Sequence, residues 1–129
     1  MAIYTGQTND STINGHLSSI RGAEYGINAR AAMAAAIQRC YELAKIKAGA
    51  THVAQSTITA QTNRVRNEVY GDNVRDAFRN GITLCYQARG ISITSAETGY
   101  LNNMIYAQTG EDLKNNILRS IVKCCQDVS

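Results

Sequence analysis

The sequence predicts an all-α protein built from three helix-turn-helix repeats, each a short helix, a glycine turn and a long helix, packed as a helical bundle or a short solenoid. Three observations carry this. The segment Arg21-x3-Tyr25-Gly26-x-Asn28-x-Arg30-x-Ala32-x4-Ile37-x2-Cys40-Tyr41 recurs without a gap as Arg66-x3-Tyr70-Gly71-x-Asn73-x-Arg75-x-Ala77-x4-Ile82-x2-Cys85-Tyr86, and in the same register Ser11-Thr12-Ile13 recurs as Ser56-Thr57-Ile58. A third, worn copy closes the chain: Thr109-Gly110-Glu111-Asp112-Leu113-Lys114 stands where Tyr70-Gly71-Asp72-Asn73-Val74-Arg75 stood, and Ile121 and Cys124 then fall on Ile82 and Cys85. Finally, the 129 residues include no proline and no tryptophan and a single phenylalanine, so long helices run uninterrupted and the apolar mass suits close helix packing.

Residues 1–10 are polar and contain Gly6, and read as an N-terminal arm that is either disordered or ordered only against a partner, with Ile3 and Tyr4 as the candidate contacts. Residues 11–129 form one all-α domain of three repeats, about 11–49, 56–90 and 95–127. Asp10 and Ser11 suit an N-cap, and Ile13, Leu17 and Ile20 follow at helical spacing, which places a short helix near 11–22. A long helix follows at about 27–48, with Ala29, Met33, Ile37, Cys40 and Ala44 on one face and Gly49 as its stop. Ser56 is the expected cap of a second short helix at 56–68, whose β-branched stretch Thr57–Thr62 also fits a strand. The next long helix spans about 72–89 with Val74, Phe78, Ile82 and Cys85 inward, and Gly90 ends it. After an extended link at 91–94, Ser95 is the expected cap of a third short helix with Leu101 and Met104 inward. The last helix, about 110–127, buries Leu113, Ile117, Ile121 and Cys124.

The motif residues Tyr25, Gly26, Asn28 and Arg30, then Tyr70, Gly71, Asn73 and Arg75, then Gly110, Asp112 and Lys114, read as structural turns. Glycine reaches the positive φ that a tight helix–helix turn demands. Asn28, Asn73 and Asp112 stand where a side-chain oxygen meets free backbone amides, and tyrosine buries a ring while its hydroxyl reaches water. Arg30 and Arg75 are expected to brace the turns against Glu24 and Glu68. The rival reading, a ligand site lined by the tyrosines and arginines, has less behind it.

Little here points to catalysis. His16 and His52 stand alone, and the glycines lack the spacing of a phosphate loop, so no catalytic, cofactor-binding or metal-ligating residue is assigned. Cys40, Cys85, Cys124 and Cys125 occur without a paired-cysteine spacing and read as reduced, buried thiols, with Cys125 the one open to oxidation or pairing between chains. No apolar run is long enough to span a bilayer, and the first residues lack a signal peptide's basic and apolar regions. The net charge of +3 is too small to imply nucleic acid by itself. Short helix, turn, long helix does resemble a DNA-binding helix-turn-helix, and Arg64, Arg66, Arg75, Arg79 and Arg89 cluster in the middle unit, but Glu68, Asp72 and Asp76 interleave with them.

The segments Ile20-Arg21, Tyr25-Gly26, Asn28, Arg30, Ala32 and Val65-Arg66, Tyr70-Gly71, Asn73, Arg75, Ala77 resemble the N-terminal regions of tail and baseplate proteins from phages of Gram-positive bacteria. That resemblance covers roughly 21–41 and 66–86, with an echo at 109–125, and no large receptor-binding or fibre region follows. It implies a non-enzymatic structural or adaptor protein of a phage or prophage particle, found in the virion or the host cytoplasm. Such a protein works by docking helices against copies of itself or other assembly proteins. The second reading is a small regulatory protein that binds nucleic acid.

Overall fold

The first helix begins at an acceptor. Asp10, extended at φ −103° and ψ 114°, takes the Ile13 amide on its carboxylate at 2.9 Å and starts α1 (Ser11–Gly22). The structure, a computed structural model, describes residues 2–23, 27–106 and 110–129. Over these residues the chain continues through α2 (Ile27–Ala48), α3 (Gln55–Asn67), α4 (Gly71–Arg89), α5 (Ser95–Tyr106) and α6 (Gly110–Val128), and no strand occurs.

Two helix starts differ from expectation. The cap of α3 is Ala54, one residue before Gln55, with no side-chain acceptor, so Ser56 lies inside the helix. The first turn of α5 is held by Thr94, whose Oγ1 accepts the Glu97 amide at 3.2 Å, and Ser95 is already helical. The β-branched stretch of α3 is helical because Ile58, Thr62 and Val65 all fall on its buried stripe, and packing overrides a weak intrinsic preference. The stops are glycines in the left-handed region, Gly49 at φ 82° and Gly90 at φ 80°. Gly90 completes a Schellman motif: its amide donates to Gln87 O at 3.0 Å and the Ile91 amide donates to Tyr86 O at 3.2 Å.

The three long helices α2, α4 and α6 pack against one another. Each short helix lies on the long helix that follows it, α1 on α2, α3 on α4 and α5 on α6. Each also touches one further long helix: α3 on α2, α5 on α4 and α1 on α6. The last of these contacts joins the ends of the chain, so of the two packings expected the bundle forms. The side chains that the sequence register aligns are all buried: Ala29, Val74 and Leu113, Met33, Phe78 and Ile117, Ile37, Ile82 and Ile121, and Cys40, Cys85 and Cys124. At Gly81 of α4 the Ile37 side chain of α2 packs so close to the backbone that a Cβ would meet it at 3.1 Å.

The N-terminal arm corrects a second expectation. It is ordered on its own chain, in the seam between α1 and α6. The Tyr4 amide donates to Asn115 Oδ1 at 2.7 Å, and Asn115 Nδ2 donates to Ala2 O at 3.0 Å. Arg21 donates to the carbonyls of Tyr4 and Gly6 at 2.7 and 2.6 Å, and the Arg119 guanidinium lies 4.3 Å from the centre of the Tyr4 ring. Ile3 and Tyr4, expected on a neighbour, pack against this chain's own core. The arm has little apolar surface, but its backbone groups find charged and amide partners on both helices.

The glycines give a first test. Gly90→Ala forces a side chain into the left-handed region and is expected to destabilise the fold by about 1 kcal/mol. Gly71→Ala is expected to be close to neutral, since Gly71 sits in the first turn of α4 at ordinary φ and its Cβ would meet only the mobile end of Arg75 at 3.3 Å. Urea midpoints of the two variants separate these outcomes.

Candidate functional site

The repeated motif lies at the N-terminal ends of the long helices, and the structure revises the role of each residue. Gly71 opens α4 without positive φ, and the chain bends at Tyr70, the cap residue, at φ −97° and ψ 137°. Tyr25 and Gly26 lie outside the described residues, as does Glu24. Tyr70 does not bury its ring: it is 72% exposed. Asn28 and Asp112 are exposed. Asn73 holds no backbone amide, and its Nδ2 reaches Glu68 Oε2 at 3.5 Å. Gly110 is the first residue of α6.

The basic residues of the motif do more than brace local turns. Arg30 donates through Nη1 to the backbone carbonyl of Glu68, in the link between α3 and α4. Lys114 donates to the carbonyls of Ala23 at 2.8 Å and Arg21 at 3.3 Å, at the end of α1. In the register that aligns the two clear copies, Ala23 and Glu68 are the same position. The first and third motifs therefore make the same tie to the end of a short helix from another part of the chain. Arg75 pairs with Asp72 in its own helix, rather than with Glu68.

These ends surround an open cavity of about 320 Å³. Its floor is aliphatic: Ala29, Met33, Val74, Leu113 and Ile117. Arg30 and Arg75 supply the charge on its wall, and Val69 stands at the rim, 83% exposed. Together with Tyr70 and Ile27, the latter 71% exposed, Val69 belongs to the small set of large apolar side chains that the described surface leaves open. The described lining holds no carboxylate, thiol, hydroxyl or imidazole, so it offers apolar contact and positive charge and no proton-transfer or nucleophilic group.

At the opposite end lies a polar cluster that the sequence reading missed. Tyr86 Oη stands 2.6 Å from Asp127 Oδ2 and 3.0 Å from Glu97 Oε2. Asp127 is also met by Thr94 Oγ1 at 3.3 Å and Lys123 Nζ at 3.1 Å. Glu97 is wholly buried, and that burial pushes its carboxyl up to about 7, against the opposing pull of Ser120 and Tyr86. Burial likewise drives the Tyr86 phenol upward. The signal was in the spacing: Glu97 precedes Leu101 and Met104 on the same helical stripe, a carboxylate at a core position.

Cys40, Cys85, Cys124 and Cys125 are free thiols, all buried, including the one expected to be open to oxidation. Burial raises the thiols of Cys85 and Cys124, and moves Cys125 to about 11. Among the described residues no group of three His, Cys, Asp or Glu is arranged to hold a metal ion, and no helix is long and apolar enough to cross a membrane. No protein-family model matches the chain, and no curated protein or solved structure matches it either.

The tie from Arg30 is testable. Arg30→Ala is expected to lower stability by about 1–2 kcal/mol, the worth of a charged hydrogen bond to a carbonyl. Arg30→Lys is expected to restore part of it, because Lys114 makes the same tie at the equivalent position. Chemical denaturation of the two variants beside the parent protein checks the order.

Proposed function

We propose that the protein is a non-enzymatic structural or adaptor protein that docks copies of itself or other assembly proteins, and that it belongs to a phage or prophage particle of the tail or baseplate type. The observation that carries the docking reading is the open aliphatic hollow at the N-terminal ends of the long helices, with exposed Val69 on its rim and exposed Tyr70 next to it in the chain. Exposed apolar side chains grouped at one place mark interaction surfaces more often than isolated ones do. Tyrosine at the rim and arginine on the wall are the residue types that dominate binding energy in interfaces. The phage assignment rests on the resemblance of the two Tyr-Gly-x-Asn-x-Arg segments, and it places the protein in the virion or the host cytoplasm.

In this reading the chain is three short-helix, long-helix repeats closed about a pseudo-threefold axis along α2, α4 and α6. The burial of all four sets of equivalent side chains supports it, as do the two equivalent ties from Arg30 and Lys114. Binding to nucleic acid is the weaker alternative, because Arg64 is paired with Glu68 and Asp76, Arg75 with Asp72, and Arg39 with Asp10 and Glu42. Those pairings cancel the one-sided field that phosphate binding needs.

The double substitution Val69→Ser, Tyr70→Ser tests the surface. Both side chains are exposed, so circular dichroism and the melting temperature are expected to stay within error of the parent. Association measured by light scattering, and capture of tail proteins from a phage lysate, are expected to fall at least tenfold. A parent protein that is monomeric at high concentration and captures no particle component defeats the reading. Duplex DNA binding with a steep salt dependence moves it to the regulatory alternative.

A further inference from the structure

Independently of any docking partner, the cluster at the far end of the bundle has a proton-counting problem. Tyr86 has one phenolic proton, yet its oxygen lies within hydrogen-bond distance of two carboxylates, Asp127 at 2.6 Å and Glu97 at 3.0 Å. A phenol donates once and otherwise accepts, whereas an ionised carboxylate only accepts. With both acids ionised, one of the two contacts would set lone pair against lone pair. The arrangement closes only when one acid carries a proton and donates it to Tyr86 Oη.

The surroundings decide which. Asp127 has Lys123 Nζ at 3.1 Å, the hydroxyl of Thr94 at 3.3 Å and a side chain 15% exposed, and it takes the shorter bond from Tyr86. Glu97 is fully buried in the first turn of α5 and makes no ion pair. Facing it are Tyr86 from α4 and Ser120, Lys123 and Asp127 from α6, with the thiols of Cys85 and Cys124 nearby. Lys123 gives its ammonium to Asp127, and the negative charge of Asp127 opposes a second one on Glu97. Glu97 Oε1 and Ser120 Oγ are both buried without a hydrogen bond of good geometry. With the Tyr86 proton given to Asp127, an ionised Glu97 would leave a buried charge there with no donor but the Ser120 hydroxyl.

We propose that Glu97 is a proton-operated latch that fastens α5 to α4. With its proton in place, Glu97 bridges from α5 to Tyr86 of α4, and Tyr86 passes the chain of hydrogen bonds to Asp127 of α6. When the proton leaves, the bridge reverses to repulsion and α5 loosens. The helix is built for this, since it packs broadly on α6 but only slightly on α4. Loosening it uncovers Leu101 and Met104, otherwise buried.

The sign follows from the direction of the shift. A carboxyl held near 7 in the fold and at its ordinary 4.5 in the unfolded chain gives its full stabilisation below 4.5. That stabilisation is lost as pH rises from 4.5 to 7, and nothing further is lost above it. Near neutral pH the latch is therefore half set and most of its stabilisation is already gone, and the steepest change lies between 4.5 and 7.

Amide hydrogen exchange of the intact protein, corrected for the intrinsic rate at each pH, tests this with α2 as internal reference. Between pH 5.5 and pH 8, protection over residues 96–104 is expected to fall at least tenfold relative to α2. In Glu97→Gln, whose amide donates to Tyr86 Oη at every pH, protection is expected to stay level. Carbon NMR of the Glu97 carboxyl in the unmodified protein is expected to report a midpoint near 7, and it reads the latch even if the variant fails to fold. A midpoint below 5, equal protection of α5 at both pH values, an equal loss in α2, or the same loss in Glu97→Gln overturns the proposal.

Discussion

The wide buried face of α2 is the constraint from which the rest of the packing follows. It touches α1, α3, α4 and α6, and the buried set along it runs through Ala29, Ala32, Met33, Ala34, Ala36, Ile37, Cys40, Tyr41 and Ala44. The long helices α4 and α6 also meet four helices each, but one of those contacts is slight, whereas α2 packs broadly on α1, α3 and α4, and the small side chains of this alanine-rich segment suit that close packing. Gly81 on α4 serves the same end from the other side, where Ile37 occupies the space that its Cβ would take. Close approach brings Met33, Phe78 and Ile117 and the three isoleucines Ile37, Ile82 and Ile121 from the long helices into one buried core.

Helices and their inward faces were legible because each depends on a local signal. Apolar spacing marked Ile13, Leu17 and Ile20, and Val74, Phe78 and Ile82, and glycines marked the ends at Gly49 and Gly90. Caps were read two residues late at Ser56 and one late at Ser95, because several hydroxyl and amide side chains stand near each start and only the path of the chain selects among them. The arm was misread for a different reason. Its partners, Arg21, Asn115 and Arg119, are distant in sequence, and a polar segment that bonds through its backbone leaves no apolar pattern.

The motif itself was visible as a repeat but not as a mechanism. Tyr-Gly suggested a turn with glycine at positive φ, whereas at the second copy the bend falls at Tyr70 and Gly71 is the first helical residue. Nothing in the local sequence says that Tyr70 and Val69 remain exposed, since that depends on which elements the bundle leaves uncovered. Glu97 is the reverse case. Its place on the stripe with Leu101 and Met104 was readable, but its proton is not, because that follows from Tyr86, Lys123 and Asp127 arriving from two other helices.

Why a basic residue recurs four places after the motif glycine is answered at the helix ends. A helix finishes with carbonyls that have no partner within it, and its dipole leaves that end partly negative. Ala23 and Glu68 are the C-cap residues of α1 and α3, and neither is followed by a glycine that would fold the chain back over those carbonyls. Lys114 supplies a donor to the first and Arg30 to the second. Each donor sits in the first turns of a different long helix, so satisfying one short helix's end also ties two parts of the chain together. Arg75 holds the corresponding place in the second copy, and the end of α5 that it would serve runs into residues 107–109, outside those described. The repeated charge is therefore accounted for by backbone chemistry at two sites. That leaves the exposed tyrosine and valine beside the second, which no such intramolecular requirement explains, as the part of the motif that faces outward.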